Sequence, residues 1–272
     1  MTLLHRRTWL AALGSVVLLA ACATSAPDSP PVAPSVRQTL APTGTLRVAV
    51  YAGSPTSMVT DARTGAPVGV AVELGQAMAQ RLQVPFELKV FQRVAEVLDA
   101  LKTGQADFTF TNATAERAQV LDFTAPLIDL ELGYLVPAAS SLQRLEQIDQ
   151  SGRRVGVSQG SSSQGTLTRS FKQARVVPVA SLKAGAEMLT AGQLDAFATN
   201  KAVLFEMSDT LPGARVLPGR WGLEHLAMAV PKGREAGLDF LREWAQDVQA
   251  NGRLAAIVTR AGLRGTAKPQ AH

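Results

Sequence analysis

The chain has 272 residues, 46% of them hydrophobic and 5% aromatic, with a formal net charge of +5 and a sequence pI near 9.7. That length can bury a substantial core, either as one large domain or as two lobes. The basic residues are scattered and cluster no further than the pairs Arg6–Arg7 and Arg153–Arg154; with so few aromatics, neither a phosphate-tracking stripe nor a base-stacking surface is expected, and nucleic acid is excluded as a partner.

The first segment is an address rather than part of a fold. MTLLHRRT supplies a positive start and WLAALGSVVLLAA an apolar run of 13 residues, short for a membrane-spanning helix but suited to a secretory signal. The run ends at LAAC, Leu19 to Cys22, which looks like a bacterial lipobox: residues 1–21 would be removed and Cys22 would receive a lipid. RRTWLA also resembles a twin-arginine export signal. Cys22 is the single cysteine of the sequence, so disulfides, cysteine catalysis and thiolate metal sites are excluded from the folded part. From Ala23 to Gly44 come five prolines without apolar periodicity; residues 22–44 read as a lipidated Cys and a disordered tether. His5 leaves with the signal and His272 ends the chain, so His225 stands alone and no metal or cofactor is expected.

Beyond the tether the chain writes one pattern twice. RVAVYAGS (Arg47–Ser54) and RVGVSQGS (Arg154–Ser161) both read as buried strands entering a Gly/Ser loop. Helical patterns follow at Val70–Leu82 and Ser163–Ala174, then short strands at Phe86–Phe91 and Ala174–Val179. Second helices at Val94–Gly104 and Leu182–Gly192 each stop at a glycine. LKTGQADFTFTN (Leu101–Asn112) then returns as LTAGQLDAFATN (Leu189–Asn200), agreeing at six of twelve positions, and each copy ends in Thr-Asn. Two β-α-β-α-β units imply an α/β fold of mainly parallel sheets covered by helices. Ligands of such sheets bind beyond the strands' carboxyl ends, where both Gly/Ser loops and both Thr-Asn pairs lie. Two such edges facing each other make a cleft. Asn112 and Asn200 also read as helix N-caps, a role compatible with touching ligand.

The first unit continues into TAERAQVLDFTAPL, Thr114 to Leu127. This resembles the Thr-x-x-Arg and Asp-Phe-Ser-x-Pro signature of the polar-amino-acid-binding family of periplasmic solute-binding proteins. The resemblance runs from about Thr45 to the C-terminus and takes in PVGVAVEL, AMAVPKG and NGRLAAIVTRAGL. It implies a two-lobed type II clamp that closes on a small solute for an ABC permease of the inner membrane. It also implies that Arg117 holds the ligand's carboxylate, as a guanidinium fork suits. Asn112 falls where the family usually has a Thr or Ser that reaches the same carboxylate, and Asn can donate in its place; Thr111 beside it is a further ligand-binding candidate. Ser161 and Ser162 fall where it presents donors at a helix N-terminus, and Tyr51 and Ser54 flank the ligand side chain. One departure stands out. The family usually has an Asp, for the ligand's ammonium, where this chain has Asn200. Either the ligand lacks a cationic amine, or Asp129, Glu131 or Glu224 replaces that Asp, with Glu224 beside His225 preferred.

Rival readings use the same residues. GVSQG (Gly156–Gly160) matches the G-x-S-x-G elbow of serine hydrolases, with Ser158, Asp195 and His225 in hydrolase order. Some proteins resembling the family are dehydratases of cyclic dienyl acids, for which Glu224 or Glu131 could be the acid. A ligand sensor with a membrane partner would use the same clamp. The favoured expectation is a monomeric, lipid-anchored periplasmic binding protein without chemistry of its own. Lobe 1 spans 45–127 plus 227–272, lobe 2 spans 132–222, and 127–131 and 222–226 are the crossovers.

Overall fold

The computed structural model describes residues 30–267, so Cys22, the signal segment and the start of the tether lie outside the described residues. The first element, α1 (Pro34–Leu40), corrects the tether reading. Val32, Leu40 and Ala41 are buried, and a Cβ added to Gly237 would lie 2.7 Å from the Leu40 side chain. Pro34 suits the first helical turn, where its missing N–H costs nothing. Seven residues are too few to stand alone or to show a periodicity, so the helix exists because the body covers it. The folded body therefore begins well before residue 44.

The first unit follows as β1 (Leu46–Tyr51), a ribbon of β2 (Val59–Thr60) and β3 (Pro67–Val68), α2 (Val70–Leu82), β4 (Phe86–Phe91), α3 (Val94–Lys102) and β5 (Thr109–Asn112). The expected bounds of α2 and β4 hold residue for residue. A 3₁₀ turn (Arg117–Gln119), β6 (Leu121–Phe123) and β7 (Ile128–Val136) lead to the second unit: β8 (Arg154–Ser158), α4 (Ser162–Ser170), β9 (Arg175–Val179), α5 (Leu182–Thr190) and β10 (Ala196–Asn200). Then come α6 (Lys201–Thr210), β11 (Arg215–Val216), β12 (Gly222–Pro231), α7 (Glu235–Ala250) and α8 (Arg253–Arg260).

β1 runs parallel to β4 and, through Val48↔Phe108, beside β5; β8 lies parallel to both β9 and β10. Alternation along β1 sends Val48 and Val50 into one cluster with α2, and Ala49 into another with α3. β10 does the same in the second unit, with Ala196 and Ala198 on one side and Phe197 on the other. Both sheets are thus covered on both faces, as parallel sheets require. The result is a two-lobed α/β clamp. β7 and β12 are antiparallel partners from Ile128↔Leu226 to Leu132↔Gly222. Beyond that shared ladder, β12 pairs with β5 and β6 while β7 pairs with β10 and β11.

The repeated sequence has a repeated structural role. Gly104 and Gly192 adopt φ of 69° and 66°, turning the chain out of α3 and α5. The aspartate three residues on then binds an arginine within the first two residues of the neighbouring strand, Arg47 of β1 or Arg154 of β8. Asp107 accepts from the backbone N–H and side chain of Arg47, and Asp195 does the same for Arg154. Asp107 also accepts from Arg234 Nη2 at 2.8 Å. The repeat is therefore a device that ties the third strand of each unit to the first.

Candidate functional site

β5 and β10 end in Thr-Asn beside the crossover strands, with Asn112 opposite Leu226 and Asn200 opposite Leu132. The loops after β1 and β8 meet at the same edge. Between them lies a cavity of about 30 Å³, enough for roughly two or three waters. Tyr51, Thr111, Asn112, Arg117, Ser161, Ser162, Asn200 and Glu224 all line it, so the structure brings together most of the residues nominated from sequence.

Arg117 is buried at the start of the 3₁₀ turn. Its Nη1 donates to Thr111 Oγ1 at 2.8 Å and to the Asn112 carbonyl at 3.2 Å, and its Nη2 donates across the cleft to the Gly160 carbonyl at 3.2 Å. Burial pulls this guanidinium below its ordinary pKa, and the charge of Glu224 opposes that pull. Three neutral acceptors hold the fork in one orientation, and no carboxylate among the described residues is ion-paired to it.

Glu224 is the acid that faces the cavity. Its Oε1 accepts from Ser162 Oγ and its Oε2 from Asn200 Nδ2, both at 2.9 Å. The amide at position 200 thus holds a carboxylate supplied by the neighbouring crossover strand. Asn200 is at once the N-cap of α6, accepting from Val203 N–H at 3.1 Å, so capping and site geometry coincide here. Asn112 does not cap a helix, contrary to expectation, because a turn follows it; its Oδ1 accepts from His225 N–H and its Nδ2 donates to Ser162 Oγ at 3.0 Å. Ser161 caps α4.

Other nominees lie elsewhere. Ser54 is fully buried behind the wall, bonded to Thr56 Oγ1 at 2.9 Å, and it is Thr56 that reaches the cavity. Asp129 pairs with His225 Nδ1 at 2.7 Å in an exposed position, and Glu131 pairs with Lys201 at 2.6 Å. Neither lines the cavity, because alternation along β7 and β12 turns them away from Glu224. The hydrolase order does not assemble: Asp195 is engaged by Arg154, His225 by Asp129, and Ser158 Oγ has no hydrogen-bond partner among the described residues.

Sequence reasoning missed Phe110, Val94 and Leu182 as cavity walls. Phe110 was within reach, since it shares a strand face with Asn112 two positions on. Burial pushes the Tyr51 hydroxyl up to about 12, so it stays a neutral donor at any physiological pH.

The walls of the cleft touch. Ala95 N–H donates to the Gln159 carbonyl at 3.3 Å. Gly160 has φ of +77°, and a Cβ there would lie 2.7 Å from Ala95 Cα. Gly160→Ala is therefore expected to oppose closure and raise the dissociation constant, tenfold for each ~1.4 kcal/mol of clash. Titration calorimetry reads this directly; unchanged affinity would show that this close approach is not made in the bound form.

Residues 46–262 match the model of the bacterial extracellular solute-binding proteins, family 3. The chain belongs to that family. This family 3 protein is similar in structure to the P235GK mutant of ArgBP from T. maritima, with a TM-score of 0.75 and 21% identity over 84% of this chain and 99% of that one. An ancestral arginine-binding protein bound to arginine superposes with a TM-score of 0.71 and 26% identity, covering 80% and 97% of the two chains. The ancestral amino acid-binding protein AncCDT-1, a precursor of cyclohexadienyl dehydratase, gives 0.72 and 21% over 82% and 98%. No curated protein sequence matches the chain.

Proposed function

We propose that this solute-binding protein captures a small carboxylate-bearing solute in the periplasm and delivers it to an ABC permease. In this reading Arg117, aided by Thr111 and Asn112, takes the carboxylate. Tyr51, Ser161, Ser162, Asn200 and Glu224 complete the contacts, and Ser54 acts from behind the wall, through Thr56 and Tyr51. One observation carries it: a buried guanidinium at the lobe junction, oriented by neutral acceptors and with no ion-paired carboxylate among the described residues. Such a group favours an incoming anion.

Lobe 1 is 45–127 plus 227–272 with α1 packed against it, lobe 2 is 132–222, and 127–131 with 222–226 form the hinge. The ladder between β7 and β12 in those segments supports this division. Contacts from both lobes to one ligand favour the closed form by population shift. Lipid anchoring through Cys22 after loss of residues 1–21, and a monomeric state, complete the proposal; they rest on LAAC and on the ligand site being built within one chain.

A thermal-shift screen of protein unfolded and refolded to strip carried-over ligand tests it. The panel holds amino acids, their amine-free analogues, dicarboxylates and cyclic dienyl acids. A carboxylate at a hundred times its dissociation constant should add about 2.7 kcal/mol of stability. No shift with any carboxylate, or turnover of a dienyl acid, overturns the reading.

A further inference from the structure

The chain bridges the two lobes a third time, after α8. Leu263 packs against the core cluster that α2, α7 and α8 share in lobe 1. The next residue, Arg264, grips lobe 2. Its Nη2 donates to Asp209 Oδ2 at 2.6 Å and to Glu206 Oε1 at 3.2 Å, and its Nη1 donates to Asp209 Oδ1 at 3.3 Å. The guanidinium also lies 5.0 Å from the centre of the Phe205 ring. All three partners belong to α6.

Residues 265–267 then run along β7 on the edge that β12 leaves free. Glu131 N–H donates to the Gly265 carbonyl and Ala267 N–H to the Asp129 carbonyl, both at 2.9 Å, with Thr266 opposite Leu130. Gly265 has φ of +76°, and a Cβ there would collide with Lys201 at the start of α6. The segment therefore lies flush against that helix.

Neighbouring residues are thus anchored in different lobes, and one residue of chain spans at most about 3.6 Å. Turning α6 away from α8 about the hinge stretches this junction. The grip on α6 is the part that yields, because the side chains of Arg264, Glu206 and Asp209 are between 39% and 59% exposed, whereas Leu263 is held by an apolar core. The grip is made in the same arrangement in which the walls of the cleft touch. Arg264 does not line the cavity.

We propose that residues 263–267 are a strap that favours the closed clamp, and that Arg264, which touches no solute, sets how tightly every solute is held. This rests on the two-lobed clamp reading above and adds a control on affinity outside the cleft. A contact made only in the closed form changes how much of that form exists and not how well a solute fits it. Its loss therefore weakens all solutes by one factor.

Spin labels on the full, refolded chain test this without any solute. They are placed at Lys102→Cys on α3 and Thr190→Cys on α5, both exposed, in a Cys22→Ser background because Cys22 is the single cysteine. Electron–electron distance measurement should find the closed separation populated in the parent. In Arg264→Ala the closed-to-open ratio should fall about five- to tenfold, the worth of exposed ion pairs and one cation–ring contact together. Glu206→Ala with Asp209→Ala should give a comparable fall, and adding Arg264→Ala to that pair should change little more. Arg264→Lys, which keeps the charge and loses the fork, should lie between. Calorimetry with the amino acids of the screen should show one common loss of affinity in Arg264→Ala.

Identical distance distributions in the parent and Arg264→Ala overturn the proposal, as does a loss of affinity that differs from one amino acid to another. A shifted distribution with no carboxylate of the panel bound overturns the carboxylate reading and leaves the strap standing.

Discussion

Replacing Arg117 with alanine is expected to weaken binding of the carboxylate solute at least about a hundredfold, ~2.7 kcal/mol. The substitution removes the one cation that faces the cavity among the described residues and leaves a buried carboxylate without its partner, which costs roughly 3–5 kcal/mol in such settings. The fork owes its placement on its own lobe to Thr111 and the Asn112 carbonyl, so it is oriented before ligand arrives. Arg117→Lys should rescue little, because a point-like ammonium cannot repeat the two-pronged geometry. Calorimetry measures the affinity, and a thermal melt without ligand separates lost recognition from lost folding. Wild-type affinity in the alanine variant would place the carboxylate elsewhere.

The second large effect concerns the fold. Asp107→Asn is expected to destabilise the protein by about 3–5 kcal/mol at pH 7. The Asp107 side chain is fully buried and accepts from both Arg47 and Arg234. Burial by itself would raise its pKa, but the bonds from the two arginines and from the Arg47 N–H win and hold it below the usual carboxylate range. A pKa depressed in the folded state means that the unfolded chain binds the proton more readily. The stabilisation is therefore complete above about pH 4, the ordinary range for Asp, and is lost as pH falls through the lower folded value. Urea unfolding from pH 7 downward should show this acid loss in the parent and a flatter limb in Asp107→Asn. Its counterpart Asp195 has a side chain 23% exposed, with Arg154 41% exposed. Asp195→Asn should therefore cost only about 1 kcal/mol. Equal costs at the two positions would mean that burial is not what separates them.

The sequence carried the architecture well because hydrophobic alternation and glycine stops are local signals. α2 and β4 came out with their true bounds, and the doubled Gly-Gln-x-Asp segment marked both third strands. α1 escaped because about two turns have no period to read, and only its burial against α7 explains it. At the site, Arg117 was legible through its motif, and Glu224 through the gap that Asn200 left. Ser54 and Thr56 could not be told apart, since both are small hydroxyl residues in one loop and only the turn decides which one faces inward. Val94 and Leu182 look like any other core residue in a sequence, and only the approach of the two lobes makes them walls.

The paired strands β7 and β12 have a mechanical consequence. Their cross-links run from Ile128↔Leu226 to Leu132↔Gly222, so sliding one lobe past the other would strip the ladder bond by bond. Twisting or bending the two-stranded ribbon as a unit leaves every rung intact. The joint therefore resists shear and yields to rotation, much as a piano hinge does. In the clamp proposed above, a bound solute would set that one angle, and a partner reading the outer faces of the two lobes would need to sense nothing else.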